Sequence, residues 1–128
     1  MLRENFALNA AQLTINQCPT EKGVMIQAVG EVDLTTAPHL RAPLLDAVTN
    51  GDGNAVIVDL TQVDFIDSAG LALLVEARKK LAQDARPLHI LLTQGRQPER
   101  VLKLGRFDTI MNLAYNLDDL SSVPRSFL

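Results

Sequence analysis

Residues Ala55 to Leu81 read AVIVDLTQVDFIDSAGLALLVEARKKL. The stretch opens with an apolar run, Ala55 to Val58, that closes at Asp59-Leu60 and gives way to a short polar connection. It then passes Phe65-Ile66-Asp67-Ser68-Ala69-Gly70 and continues as a leucine-rich amphipathic segment. The pattern predicts a buried strand, a turn, and a helix whose first residues are small and polar. The Ser68 hydroxyl then lies where free helix N–H groups and the positive end of the dipole point outward. Position alone leaves three roles open for it: cap, nucleophile or switch. Asp67 and Ser68 are both good N-caps.

The rest of the chain is compatible with one folded unit around this stretch. With 128 residues it fits a single domain. A 47% hydrophobic content against 21% charged argues against global disorder. A net charge of −3 leaves no basic footprint for nucleic acid. No apolar stretch approaches the roughly 18 residues of a membrane span, so direct membrane insertion is not expected. Met1-Leu2-Arg3-Glu4-Asn5 lacks the layout of a signal peptide, and the lone Cys18 fits a reducing compartment. These features predict a cytoplasmic protein.

Upstream, residues 1–10 carry no period and predict a flexible lead-in, with the domain proper over 11–117 and a frayed tail over 118–128. Gln12 to Cys18 alternates apolar and polar, Pro19-Thr20-Glu21-Lys22-Gly23 is turn chemistry, and Val24 to Val29 reads as a second strand of a hairpin. Thr36 is the N-cap candidate of a helix from Ala37 to Thr49, where Leu40, Leu44 and Val48 form an inward stripe and Pro43 predicts a kink. Asn50 to Asn54 is a loop. Downstream, Leu88 to Thr93 is an apolar strand, Gln97 to Gly105 a short helix, and Ile110 to Ala114 a last strand. The order predicts a small single-domain α/β fold: a mixed sheet that begins with an antiparallel hairpin, continues by strand-helix alternation, and carries its helices mostly on one face.

Chemistry narrows the roles of Ser68. A hydrolase elbow needs glycine two residues before the serine, where Ile66 stands, and the only histidines are His39 and His89. His89 lies inside an apolar strand and reads as a satisfied core residue. Asp59 suggests the phosphoacceptor of a receiver domain, but no acidic pair follows the first strand to hold Mg²⁺, so it reads as a strand-end polar residue. There is no phosphate loop, dinucleotide fingerprint or metal-ligand cluster, and neither metal nor cofactor is expected. A switch remains: phosphate adds about −1.5 to −2 charges at a helix N-terminus beside Asp67 and Asp64.

Two motifs carry a resemblance. Gly30-Glu31-Val32-Asp33-Leu34-Thr35-Thr36-Ala37 resembles the G-E-x-D-x-x-T-A signature of the STAS family. Val58-Asp59-Leu60, Val63, Phe65-Ile66-Asp67-Ser68 and Gly70-Leu71 resemble its D-L-x-x-V-x-F-I-D-S-x-G-L core. The likeness runs from about Leu13 to Leu113 and is to the anti-sigma factor antagonist type. It implies a non-enzymatic, phosphorylation-switched regulator. Unmodified, it would bind an anti-sigma factor that is also a serine kinase and so free a sigma factor. Phosphorylation at Ser68 would end binding, and a metal-dependent serine phosphatase would restore it. The implied surroundings are Asp33, Thr35, Asp64, Asp67, Ala69, Gly70, Leu71 and Ala72. Ala69 stands where many antagonists carry a second Ser or Thr, which leaves Ser68 as the acceptor. Gly70 to Leu74 also resembles members that serve as scaffolds or transporter-complex subunits, so a constitutive interaction module is the alternative.

Overall fold

The computed structural model describes residues 13–51 and 54–120, so the expected lead-in and most of the expected tail lie outside the described residues. A five-stranded sheet runs in the order β1 (Leu13–Thr20), β2 (Gly23–Val32), β3 (Ala55–Ile66), β4 (Leu88–Leu91) and β5 (Asn112–Ala114). β1 and β2 are antiparallel, joined by a tight turn at Glu21–Lys22; every later pairing is parallel. The crossovers are α1 (Ala37–Asn50), α2 (Ser68–Ala82) and α3 (Gln97–Leu104), each longer or shorter than expected by only a residue. The mixed α/β architecture expected from the residue pattern is the one observed.

Alternation on the strands separates the two faces of the sheet. Val56, Val58, Ile26, Ala28, Leu88 and Ile90 meet Leu40 and Leu44 of α1, Leu74 and Leu81 of α2, and Leu102 of α3 in one core. Burying each large aliphatic side chain contributes roughly 1.5–3 kcal/mol. That offsets the cost of Pro43, on the order of 3 kcal/mol, so α1 continues through it. On the opposite face Ile57 and Leu91 form a small cluster with Leu120. The stretch expected to fray from Asp118 is therefore docked as far as it is described. Leu117–Asp119 forms a 3₁₀ turn, Leu120 is buried, and its carbonyl accepts a hydrogen bond from Lys22 Nζ.

β3 departs from expectation at its far end. The polar connection after Leu60 is strand: β3 has 12 residues against 10 in β2, and two register shifts absorb the difference. Each shift places one extra residue on β3, a bulge that re-aims the following side chains. Val63 and Ile66 are buried three apart, where a regular strand would bury positions two apart. Asp59 therefore lies within β3, where its Oδ1 accepts from the Thr61 N–H and hydroxyl at 2.9 and 2.6 Å beside the first shift. Gly30, at φ +125, supplies the second shift with backbone that other residues rarely adopt. Arg86 is also buried, donating to the Val48 and Asn54 carbonyls at 2.6 and 2.8 Å, and ties the end of α1 to the approach to β3.

No helix among the described residues is long and apolar enough to cross a membrane.

Candidate functional site

The site forms where β2 and β3 end together and α1 and α2 begin. Asp67, extended at φ −109 and ψ −169, is the N-cap of α2. Its Oδ1 accepts from the Ala69 and Gly70 N–H groups at 2.9 and 3.3 Å, and its Oδ2 from Leu34 N–H at 3.2 Å. One carboxylate thus caps the helix and holds the neighbouring turn. Ser68, the first helical residue, is exposed, and among the described residues its hydroxyl makes no hydrogen bond. The capping role open to either residue belongs to Asp67.

Asp33 organises the turn that leads into α1. Its Oδ1 accepts from the Thr35 and Thr36 N–H groups at 2.9 and 3.0 Å. These bonds, that of the Thr36 amide foremost, hold the Asp33 carboxyl below the usual carboxylate range. Thr36 does not cap α1 through its side chain. Its buried hydroxyl donates to the Glu31 carbonyl at 2.7 Å and accepts from Asp33 N–H at 2.9 Å. The Leu34–Asp67 bond joins this turn to the start of α2.

Gly70 is buried where the first turn of α2 meets the sheet. A Cβ there would lie 2.6 Å from Ile66 Cγ1 and 2.8 Å from Val32 Cγ1, both buried side chains. Ala69 and Leu71 are half-buried against the core, and Ala72 is exposed. Asp64 is drawn off differently: it pairs with Arg96 at 2.9 Å, so the charge expected beside Ser68 is shared with a guanidinium at the start of α3.

Three features carried no signal in the residue pattern. Gln97 clamps the end of β3, its Oε1 accepting from Ile66 N–H and its Nε2 donating to the Ile66 carbonyl, both at 2.9 Å. A neutral amide at the start of a helix has no periodicity to mark it. Leu34 is 78% exposed, and a hollow of about 250 Å³ lies between it, Pro38, Ala69 and Ala72. On the other side of α2 a groove of about 770 Å³ runs from Ser68 past Leu71 and Val75 to Lys79, with Phe107 as its far wall.

The geometry offers an accessible hydroxyl with small and apolar neighbours. Among the described residues no group is placed to activate it, because both Asp67 oxygens are held by backbone amides. The described residues contain no metal-binding cluster of His, Cys, Asp and Glu. His89 lies on the Ile57 side of the sheet and is only half satisfied. Its Nδ1 pairs with Asn112 Nδ2 at 3.0 Å, while the buried Nε2 has no partner among the described residues. Burial first, and the Lys22 charge second, push its pKa down to about 4.

A family model for the STAS domain matches residues 14–120. The chain is 29% identical over 98 residues to the anti-sigma-F factor antagonist RsfB of Mycobacterium tuberculosis, covering 76% of this chain and 78% of that protein. It is 33% identical over 79 residues to the anti-sigma-B factor antagonist of Staphylococcus aureus, covering 62% of this chain and 72% of that one. Among solved structures, an anti-sigma factor antagonist from Mycobacterium paratuberculosis superposes with a TM-score of 0.74 at 26% identity, covering 84% of this chain and 89% of the other.

Proposed function

The chain belongs to the STAS domain family, and from that premise we propose that it is a cytoplasmic anti-sigma factor antagonist, a binding regulator switched at Ser68. The observation that carries the reading is the division of labour at the start of α2. Asp67 does the capping, so the exposed Ser68 hydroxyl has no structural task. Unmodified, the surface around Ser68, Leu34, Leu71 and Ala72 docks on an anti-sigma factor and releases its sigma factor.

The same anti-sigma factor acts as the kinase. Ser68 Oγ attacks the γ-phosphorus of its Mg-ATP, the bond to the bridging oxygen breaks, ADP leaves, and the hydroxyl proton passes to a base of the kinase. The product adds about −1.5 to −2 charges. A helix N-terminus normally receives such a charge well through free N–H groups. Here the Ala69 and Gly70 amides already serve Asp67, so the phosphate meets a carboxylate as well as the dipole. The added charge is left at the surface, where it repels and desolvates poorly against a docked partner. A metal-dependent serine phosphatase returns the hydroxyl by transferring the phosphoryl group to water.

The test is phosphorylation by the cognate anti-sigma factor with Mg-ATP, mapped by mass spectrometry, beside partner titrations of Ser68→Ala and Ser68→Asp. Phosphate on Ser68, binding retained in Ser68→Ala, and binding lost in Ser68→Asp support the switch. A Ser68→Asp protein that binds like the wild type is the behaviour of a constitutive interaction module and refutes it.

A further inference from the structure

The groove along α2 has a polarity of its own. It begins at Ser68 and follows one stripe of the helix through Leu71, Val75 and Lys79, with Phe107 opposite and Lys80 at its far end. Its middle is apolar and half-buried, whereas the two lysines are exposed. Glu76 also lines the groove but is paired with Arg41 at 2.8 Å, whereas Lys79 and Lys80 have no ion pair among the described residues. In a chain of net charge −3, this leaves a local cationic end on an otherwise anionic molecule.

We propose that this groove receives an amphipathic helix of the anti-sigma partner, laid antiparallel to α2 with its acidic N-terminal turn against Lys79 and Lys80. The proposal rests on the antagonist reading above and adds the occupant and its direction. The groove presents an apolar stripe at helical spacing, which is what a helix laid in a groove requires. Acidic residues are favoured at helix N-termini, so the turn that pairs with the lysines is the N-terminal one. Antiparallel packing also opposes the two helix dipoles.

This direction places the C-terminal end of the partner helix beside Ser68. That end carries roughly half a negative charge on unpaired carbonyls. The bare hydroxyl is neutral beside those carbonyls and stays open to the nucleotide; a phosphate there meets them as like charge. The groove thereby explains how a modification at one end of α2 dislodges a segment held mainly along its length. A parallel helix would put its positive N-terminus on the phosphate and would be strengthened by phosphorylation.

The experiment titrates the purified cognate anti-sigma factor with the full-length protein and with Val75→Asp, the pair Lys79→Glu and Lys80→Glu, and Thr14→Asp on the opposite face of the sheet. Circular dichroism confirms that each variant is folded. Benzoylphenylalanine replacing Phe107 maps the neighbour by cross-linking. Val75→Asp should weaken binding by about tenfold or more, as for a buried apolar anchor. The lysine reversal should weaken it by about tenfold at 50 mM salt, with most of the loss gone at 500 mM because exposed charges are screened. Thr14→Asp should bind as the wild type, and the cross-link should fall in a helix whose first turn is acidic. Groove variants that bind normally while Ser68→Asp does not would overturn the groove and leave the switch standing. Failure of the unmodified wild type to bind would remove both. A cross-linked helix running parallel to α2 would overturn the orientation.

Discussion

Asp67→Ala and Ser68→Ala, adjacent substitutions at one helix start, should differ sharply in stability. The first removes the acceptor for Ala69, Gly70 and Leu34 N–H groups. Loss of an Asp cap costs about 1 kcal/mol. The Leu34 bond is exposed, and its loss adds about 0.5 kcal/mol. The sum, about 1.5 kcal/mol, corresponds to a fall in Tm of about 5–7 °C for a domain of this size. Asp67→Asn keeps a side-chain oxygen in place and should recover most of it. Ser68→Ala removes a hydroxyl without a partner among the described residues and should stay within about 0.5 kcal/mol of the wild type. Urea unfolding at neutral pH, followed by far-UV circular dichroism and extrapolated linearly, measures all three. Equal losses at the two positions, or a larger one at Ser68, would refute the assignment of the cap and with it the argument that the hydroxyl is free for modification.

Gly70→Ala forces a methyl group between Ile66 and Val32, and despite its helix propensity it should destabilise by about 1–3 kcal/mol, read as a lowered Tm. Gln97→Ala removes two hydrogen bonds from the last residue of β3 and should cost about 1–2 kcal/mol, with faster amide exchange at Ile66; Gln97→Glu should not restore it, because a carboxylate cannot donate to the Ile66 carbonyl. His89 has a folded-state pKa of about 4, below its ordinary 6.5, so the unfolded chain binds the extra proton between those values. Stability should be full above pH 6.5 and fall as the pH drops toward 4, and that slope should flatten in His89→Leu when unfolding is measured across the range.

What the residue pattern revealed and concealed follows from the range over which each interaction acts. Period-two alternation in Leu13–Cys18, the apolar run Ala55–Leu60 and the Gly, Pro and Asn punctuation are local, and they fixed the order and type of the elements. The far half of β3 was hidden because two bulges break its alternation, so Val63 and Ile66 look like isolated apolar residues in a connection. The docking of Leu120 depends on Lys22, 98 positions away, and on the far face of the sheet. At the site, the association of Asp33 and Thr35 with Asp67 through Ala72 could be read from motifs. The identity of the cap could not, because helix boundaries are uncertain by about one or two residues and the two candidates are neighbours. Leu34 and Gln97 gave no warning at all: their roles exist only once the ends of β2, β3 and α3 meet.

The free hydroxyl at the start of α2 bears on how long the protein lasts as well as on what it binds. Cellular abundance follows stability, and changes of about 1–2 kcal/mol alter it several-fold. A residue that contributes almost nothing to the fold leaves that balance unchanged when its hydroxyl is bare or removed. Phosphate adds charge beside the Asp67 carboxylate that caps α2, so any difference in lifetime between the two forms comes from that charge and not from a lost capping bond. Had Ser68 been the cap, each signalling event would also have removed that bond.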